Sequence, residues 1–264
     1  MTNNSTRIAQ KFAELRRNNK KAFIPYIMVG DPNLDRTAEL IELLSKNGAD
    51  LIEVGVPFSD PVADGPVIQQ AGTRSLQNGC TFEKILSCIK KAGANSNTPL
   101  ILMMYYNMVY QRGFRDFFEA VKDAGCAGLI IPDLPPDEAG DIRQLAEEYA
   151  VGLNFLVAPT SNEKRIRLAA EASTGFIYAV SLKGVTGMRS SLPPELPEFI
   201  KRIQSCTDKP VGVGFGIATP EQAKMVAGLA DAVIVGSAIV KAAASDPTLG
   251  EVKKLVVGLR DVIK

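Results

Sequence analysis

The chain has 264 residues and contains neither histidine nor tryptophan. Histidine is the side chain that ordinarily titrates near neutrality, so proton transfer at that pH must fall to carboxylates, tyrosine, lysine or cysteine. Imidazole-based metal sets are excluded for the same reason. The four cysteines, Cys80, Cys88, Cys126 and Cys206, form no C-x-x-C pair, so they read as scattered reduced thiols and no metal centre is expected. Aromatics make up only 6% of the chain, which argues against stacking platforms for single-stranded nucleic acid. Neither sign of charge dominates. Thirty Lys and Arg against 29 Asp and Glu leave a net of +1, which does not suit a general nucleic-acid binder. No apolar run is long enough to cross a bilayer. The polar, cationic start lacks the apolar centre of a secretory signal, so a soluble cytoplasmic protein is expected.

What the chain does have is ample apolar material, 46% of residues, cut into short runs. Eight strand-like runs cover 23–29, 50–55, 99–105, 128–133, 152–157, 175–180, 210–215 and 231–236. Near-continuous runs of this kind suit parallel strands covered on both faces. Helical patterns lie between them at 37–46, 82–91, 114–124, 137–149, 163–172, 195–203, 220–227 and 249–263. Ahead of them all, Ile8, Phe12 and Leu15 mark an N-terminal amphipathic helix. Thr219-Pro220-Glu221-Gln222 offers a capping box, and Gly48, Gly93 and Gly125 stand where helices should stop. Repeated β-then-α units about thirty residues long favour an α/β fold, a closed (β/α)8 TIM barrel, over an open doubly wound sheet. No linker or low-complexity stretch interrupts it, so residues 1–264 are expected to form a single domain.

Active residues of such a barrel lie at the carboxyl ends of strands and in the loops that follow. The longest polar segments are 57–80 after run two and 181–194 after run six. In run two, Leu51, Glu53 and Gly55 share one face while Ile52 and Val54 share the other. With Ile52 and Val54 packed on helices, Glu53 points into the barrel mouth. It is either a structural glutamate paired with a cation or a group whose burial raises its pKa for acid/base work. Asp64 stands in a Pro/Gly loop and reads as a turn former or as a second functional carboxylate; Asp31, Asp60 and Asp133 share that ambiguity. Tyr105 and Tyr178 lie at or near run ends, where a phenol can order a ligand or simply pack.

Three glycine-bearing segments follow runs six, seven and eight: Gly184-Val185-Thr186-Gly187, Gly214-Phe215-Gly216-Ile217 and Gly236-Ser237-Ala238-Ile239. Barrels of this kind commonly hold phosphate there, with backbone N–H groups and a helix N-terminus facing the anion. No G-x-G-x-x-G or Walker A pattern is present, so a nucleotide cofactor is not indicated. Lys183 lies past run six, where it is either a solvated charge or a Schiff-base former.

The segments FIPYIMVGDP, LIEVGVPFSDPVADGPVIQ, MYYN, GVTG, GFGI and GSAIVK occur in order across nearly the whole chain. Together they closely resemble the tryptophan synthase alpha subunit family. The resemblance implies a (β/α)8 barrel and a lyase that cleaves indole-3-glycerol phosphate to indole and glyceraldehyde 3-phosphate. By the same resemblance, Glu53 matches the catalytic glutamate, and Asp64 the aspartate that bonds the indole N–H. Tyr178 would lie beside the reacting side chain, Tyr26 and Tyr105 would line the indole pocket, and Phe215 would touch substrate. Thr186 would help close the site, and Gly187, Gly216, Gly236 and Ser237 would hold phosphate. No cofactor or metal belongs to this subunit of the family. Pyridoxal phosphate sits in the beta subunit, the expected partner in an alpha2beta2 heterotetramer, and Asp60 would face it. Two rival readings remain at this point: a binding module that only activates the beta-type partner, and a Schiff-base aldolase working through Lys183.

Overall fold

A computed structural model describes residues 6–180, 192–214 and 216–263. Among these, nine parallel strand segments form one sheet: β1 (Ala22–Met28), β2 (Ile52–Gly55), β3 (Leu100–Met103), β4 (Gly128–Ile130), β5 (Gly152–Leu153), β6 (Leu156–Val157), β7 (Ile177–Val180), β8 (Val211–Gly214) and β9 (Ala232–Val235). The spatial order is β5-β4-β3-β2-β1-β9-β8-β7-β6. Its two ends are neighbours in the chain, because only Asn154 and Phe155 separate β5 from β6. With β5 paired to β4 and β6 to β7, the sheet returns on itself as the expected (β/α)8 barrel.

The fifth run is thus broken in two, where an unbroken strand was expected. Side chains take over hydrogen bonding at the break. The Asn154 amide donates to the Leu129 carbonyl at 3.4 Å and accepts from Phe176 N–H at 3.0 Å, and Phe155 N–H donates to the Ser173 hydroxyl at 3.0 Å. Buried backbone donors need partners, and here polar side chains supply them.

The alternation read from run two holds. Ile52 and Val54 belong to the layer between strands and helices, with Leu40, Ile41 and Ile85. Leu51 joins Ile24, Ile101, Phe176 and Ile234 inside the barrel. The helix Arg7–Arg17 contributes Ile8, Phe12 and Leu15 to that interior group. Each such buried apolar side chain is worth roughly 1.5–3 kcal/mol, which accounts for an amphipathic segment docking there.

Most helices fall where their periodicity put them. Pro220–Ala227 has the full capping box between Thr219 and Gln222, and Glu163–Ala172 keeps its expected bounds. Leu34–Lys46 starts earlier than its apolar pattern, because Asn33 caps it by accepting from Arg36 N–H. Gly48 and Gly125 follow helix ends with φ of 92° and 77°, as left-handed stops do. Gly93 instead is the last residue inside the helix Phe82–Gly93.

Three helices carry no clear apolar stripe and were not expected: Pro66–Gln77, Tyr106–Arg112 and Ser237–Ser245. The first corrects the reading of 57–80 as one polar loop. Its buried positions are Ile68, Ala71, Gly72 and Ser75, mostly small residues that leave little periodic signal. Tertiary contacts hold it instead. Arg74 makes a two-pronged ion pair with buried Asp31, 2.7 Å at each contact, and the Ser75 hydroxyl donates to the Val29 carbonyl.

Candidate active site

Glu53 sits on β2 in register with Tyr26 of β1 and Ile101 of β3. It is fully buried, and its Oε2 accepts from the Tyr178 hydroxyl of β7 at 3.4 Å. Its Oε1 has no hydrogen-bond partner among the described residues. Among the described residues no cation pairs with it. Burial pushes the carboxyl up to about 8; the Tyr178 hydrogen bond opposes this shift and the nearby Asp64 charge adds to it. At neutral pH this group therefore holds a proton that it can give.

Asp64 is 8% exposed at the end of the loop between β2 and the helix Pro66–Gln77. Burial raises its carboxyl to about 6, against a lowering hydrogen bond from Tyr105. Two carboxyls from one strand–loop unit thus share an environment yet ionise apart, one neutral and one anionic near pH 7.

A cleft opens beside them at the carboxyl end of the strands. Tyr26, Ile68, Met103, Tyr178 and Ile234 give it apolar and aromatic walls, and Asp64 stands in the wall. Gly214, Gly216, Gly236 and Ser237 form its other end. Gly216 has φ 68°, a backbone shape that glycine adopts without strain. Gly236 caps the helix Ser237–Ser245, whose first-turn amides have no partner within the helix and carry the positive end of its dipole. An aromatic slot joined to a cradle of backbone amides suits a flat ring bearing a short phosphate tail.

Close approach shapes this slot. A Cβ on Gly214 would lie 2.7 Å from the Tyr178 hydroxyl oxygen, and one on Gly55 would collide with the Tyr26 hydroxyl. Glycine at both positions lets the two phenols lie flat against the strands. Glu53 is fully buried and meets this lining through the Tyr178 hydroxyl.

A family model for the tryptophan synthase alpha chain matches residues 12–259. The tryptophan synthase alpha chain of Microcystis aeruginosa is 48% identical over 251 residues, covering 95% of both chains. That of Trichormus variabilis is 48% identical over 237 residues, covering 89% of each. A solved structure of tryptophan synthase from Mycobacterium tuberculosis superposes with a TM-score of 0.91 at 38% identity, covering 98% of both chains. The tryptophan synthase alpha subunit of Legionella pneumophila gives 0.90 at 35%, again covering 98% of both.

The chain belongs to the tryptophan synthase alpha chain family.

Of the residues matched to this family by sequence, Asp64, Tyr26, Tyr178, Gly216, Gly236 and Ser237 come together around one cleft, with Glu53 joined to it through the Tyr178 hydroxyl. Tyr105 is not in the described lining; it turns toward Ala63 and Asp64. Asp60 is exposed and accepts from the Ser59 hydroxyl. Asp133 accepts from Tyr106 N–H and Asp31 pairs with Arg74, so both do structural work. Thr186, Gly187, Phe215 and Lys183 lie outside the described residues. Burial raises the Cys88 thiol to about 11 and Cys126 to about 12, the opposite of an activated nucleophile. Ile68 and Met103 of the cleft wall were not singled out by sequence, since a buried apolar side chain carries no separate ligand signal. Among the described residues no group of three or more Cys, Asp or Glu is arranged to hold a metal ion. None of the described helices is long and apolar enough to cross a membrane.

Proposed function

We propose that Glu53 is the acid/base group of a retro-aldol cleavage, with Asp64 stabilising the charge that develops on the substrate ring. As a member of the tryptophan synthase alpha chain family, the protein is a carbon–carbon lyase that cleaves indole-3-glycerol phosphate in tryptophan biosynthesis. The neutral Glu53 carboxyl gives its proton to indole C3, and the ring nitrogen becomes cationic. Asp64, ionised, accepts a hydrogen bond from that N–H and opposes its charge. The C3–glycerol bond then breaks, its electron pair returns to the ring, and the side-chain hydroxyl releases its proton to the Glu53 carboxylate. Indole and an aldehyde leave, and Glu53 is again protonated. One group thus serves as acid and then as base, which suits a carboxyl raised to about 8.

Tyr26 and Tyr105 line the pocket for the ring, Tyr178 lies beside the reacting side chain, and Gly216, Gly236 and Ser237 hold the phosphate, joined by Gly187. Thr186 and Phe215 complete the substrate contacts. The alpha chain of this family carries no cofactor of its own; pyridoxal phosphate belongs to the beta chain. We assign that beta chain as the partner, in an alpha2beta2 assembly, with Asp60 and its exposed neighbour Val62 at the contact. The whole of residues 1–264 acts as one domain, in the cytoplasm.

The observation that carries this reading is a fully buried glutamate, joined through the Tyr178 hydroxyl to a cleft that ends in glycines and Ser237. The test is to mix the purified chain, alone and with a beta chain, with indole-3-glycerol phosphate and follow indole. Release of indole by the native chain, lost on Glu53→Gln with substrate still bound, is the expected result. No release in either state would overturn it and is what the activating-module reading predicts.

A further inference from the structure

We propose that Tyr105 is a positioning residue for Asp64: its hydroxyl fixes the carboxylate in the cleft wall and ties down the loop that carries it. This deepens the reading of Asp64 above and rests on it. Tyr105 follows β3 and stands at the N-terminus of the helix Tyr106–Arg112, so its backbone belongs to the frame of the barrel. The loop carrying Asp64 has no regular structure until Pro66. One phenol meets that loop at three places. The hydroxyl accepts from Ala63 N–H at 3.0 Å, it faces the neighbouring Asp64 carboxyl and favours its ionised form, and the ring stacks on Phe58 with centroids 5.2 Å apart. A hydroxyl that accepts from an amide and donates to a carboxylate uses both of its capacities at once. From the far side, the Gln69 amide donates to the Asp64 carbonyl at 2.9 Å.

The hydroxyl also sets how Asp64 ionises. Among the described residues, the ionisable groups facing that carboxyl are Glu53 of β2, Tyr26 of β1, Tyr178 of β7 and Tyr105 itself, with Asp133 beyond Tyr105. None of these is a cation. Burial drives the carboxyl up, and the donated hydrogen bond from Tyr105 is what opposes it. Removing that donor must raise the carboxyl further and leave less of the anion at neutral pH.

The test compares kcat/KM against pH for the full chain and Tyr105→Phe with indole-3-glycerol phosphate. The substrate is the same in both, so its phosphate ionisation cancels. The expected result is an acidic limb moved to higher pH by about one unit, with activity largely recovered on the alkaline side of that limb. In an Asp64→Asn background the same change should add no further shift. A uniform loss at every pH, with the limb unmoved, would reduce Tyr105 to packing and overturn the proposal. If Tyr105→Phe does not fold, site-specific 3-fluorotyrosine, a stronger donor, must move the limb to lower pH, and an unmoved limb again overturns it. Failure of the underlying reading looks different: Asp64→Asn alone would then leave kcat/KM unchanged.

Discussion

The Tyr178 hydroxyl lies 3.4 Å from Glu53 Oε2 and is the contact through which the buried acid meets the cleft wall. The bond is long, and Oε1 has no partner among the described residues. An ionised carboxylate so poorly solvated would be costly, so the neutral acid is the resting form. The fold therefore keeps a proton donor beside an aromatic slot, with no cation among the described residues to neutralise it.

That resting form sets a pH window for catalysis. Asp64 must be ionised, which needs a pH above about 6, and Glu53 must be protonated, which needs a pH below about 8. The pair titrates as a coupled system, and kcat/KM should form a bell with its maximum between those values. Indole release measured from about pH 5 to about pH 9 checks this. A rate that climbs steadily through the upper end would mean that the carboxylate, not the acid, starts the reaction.

Replacing Glu53 by Gln keeps the shape and removes the proton. Turnover should fall by ~10²–10⁴, while affinity for the substrate changes by no more than a few-fold. Single-turnover indole release together with equilibrium binding separates the two effects. Comparable turnover in the variant would remove Glu53 from the chemistry.

Stability should follow the same group with a definite sign. The folded-state pKa of Glu53 is raised from 4.5 to about 8, so the folded chain holds its proton more tightly than the unfolded chain. Its contribution is fully present below about pH 4.5 and is lost as pH rises through about 8, at up to roughly 1.4 kcal/mol per unit within that window. Glu53→Gln has no such loss. Urea unfolding should find the variant gaining on the native chain as pH rises; a constant difference across the window would contradict the raised pKa.

Adding one methyl group at Gly214 should harm the site from beneath. The new Cβ would lie 2.7 Å from the Tyr178 hydroxyl oxygen and 2.8 Å from its Cε1, so the ring must shift. Gly214→Ala is expected to cost about 1–3 kcal/mol of stability and to cut kcat by at least ~10-fold. Thermal unfolding and steady-state kinetics on the same preparation measure both. Native kcat in that variant would mean that the Tyr178–Glu53 contact does not matter to turnover.

The barrel and its inward acid were legible in the sequence because both depend on short-range regularity. Strand side chains alternate with a period of two, so Leu51, Ile52, Glu53 and Val54 declare their faces without reference to anything distant. The capping box at Thr219 and the apolar stripe of the first helix are equally local. The glycine segments after the late strands gave the expectation of an amide cradle, because backbone approach depends on the absence of a side chain, and Gly214, Gly216 and Gly236 do line the cleft.

Other features depend on residues far apart in the chain, and only the folded structure decided them. The helix Pro66–Gln77 has small buried residues and is held by Asp31, so its pattern alone could not reveal it. At the break between β5 and β6, Asn154 reaches Leu129 of the strand on one side and Phe176 beside the strand on the other. Tyr105 and Asp64 are separated by 41 positions in the sequence and meet only because β2 and β3 are neighbours in the sheet. Spacing along the chain fixes which face a side chain takes. Which distant group it meets there, and hence its pKa, is decided by how strands pair and how much water is excluded.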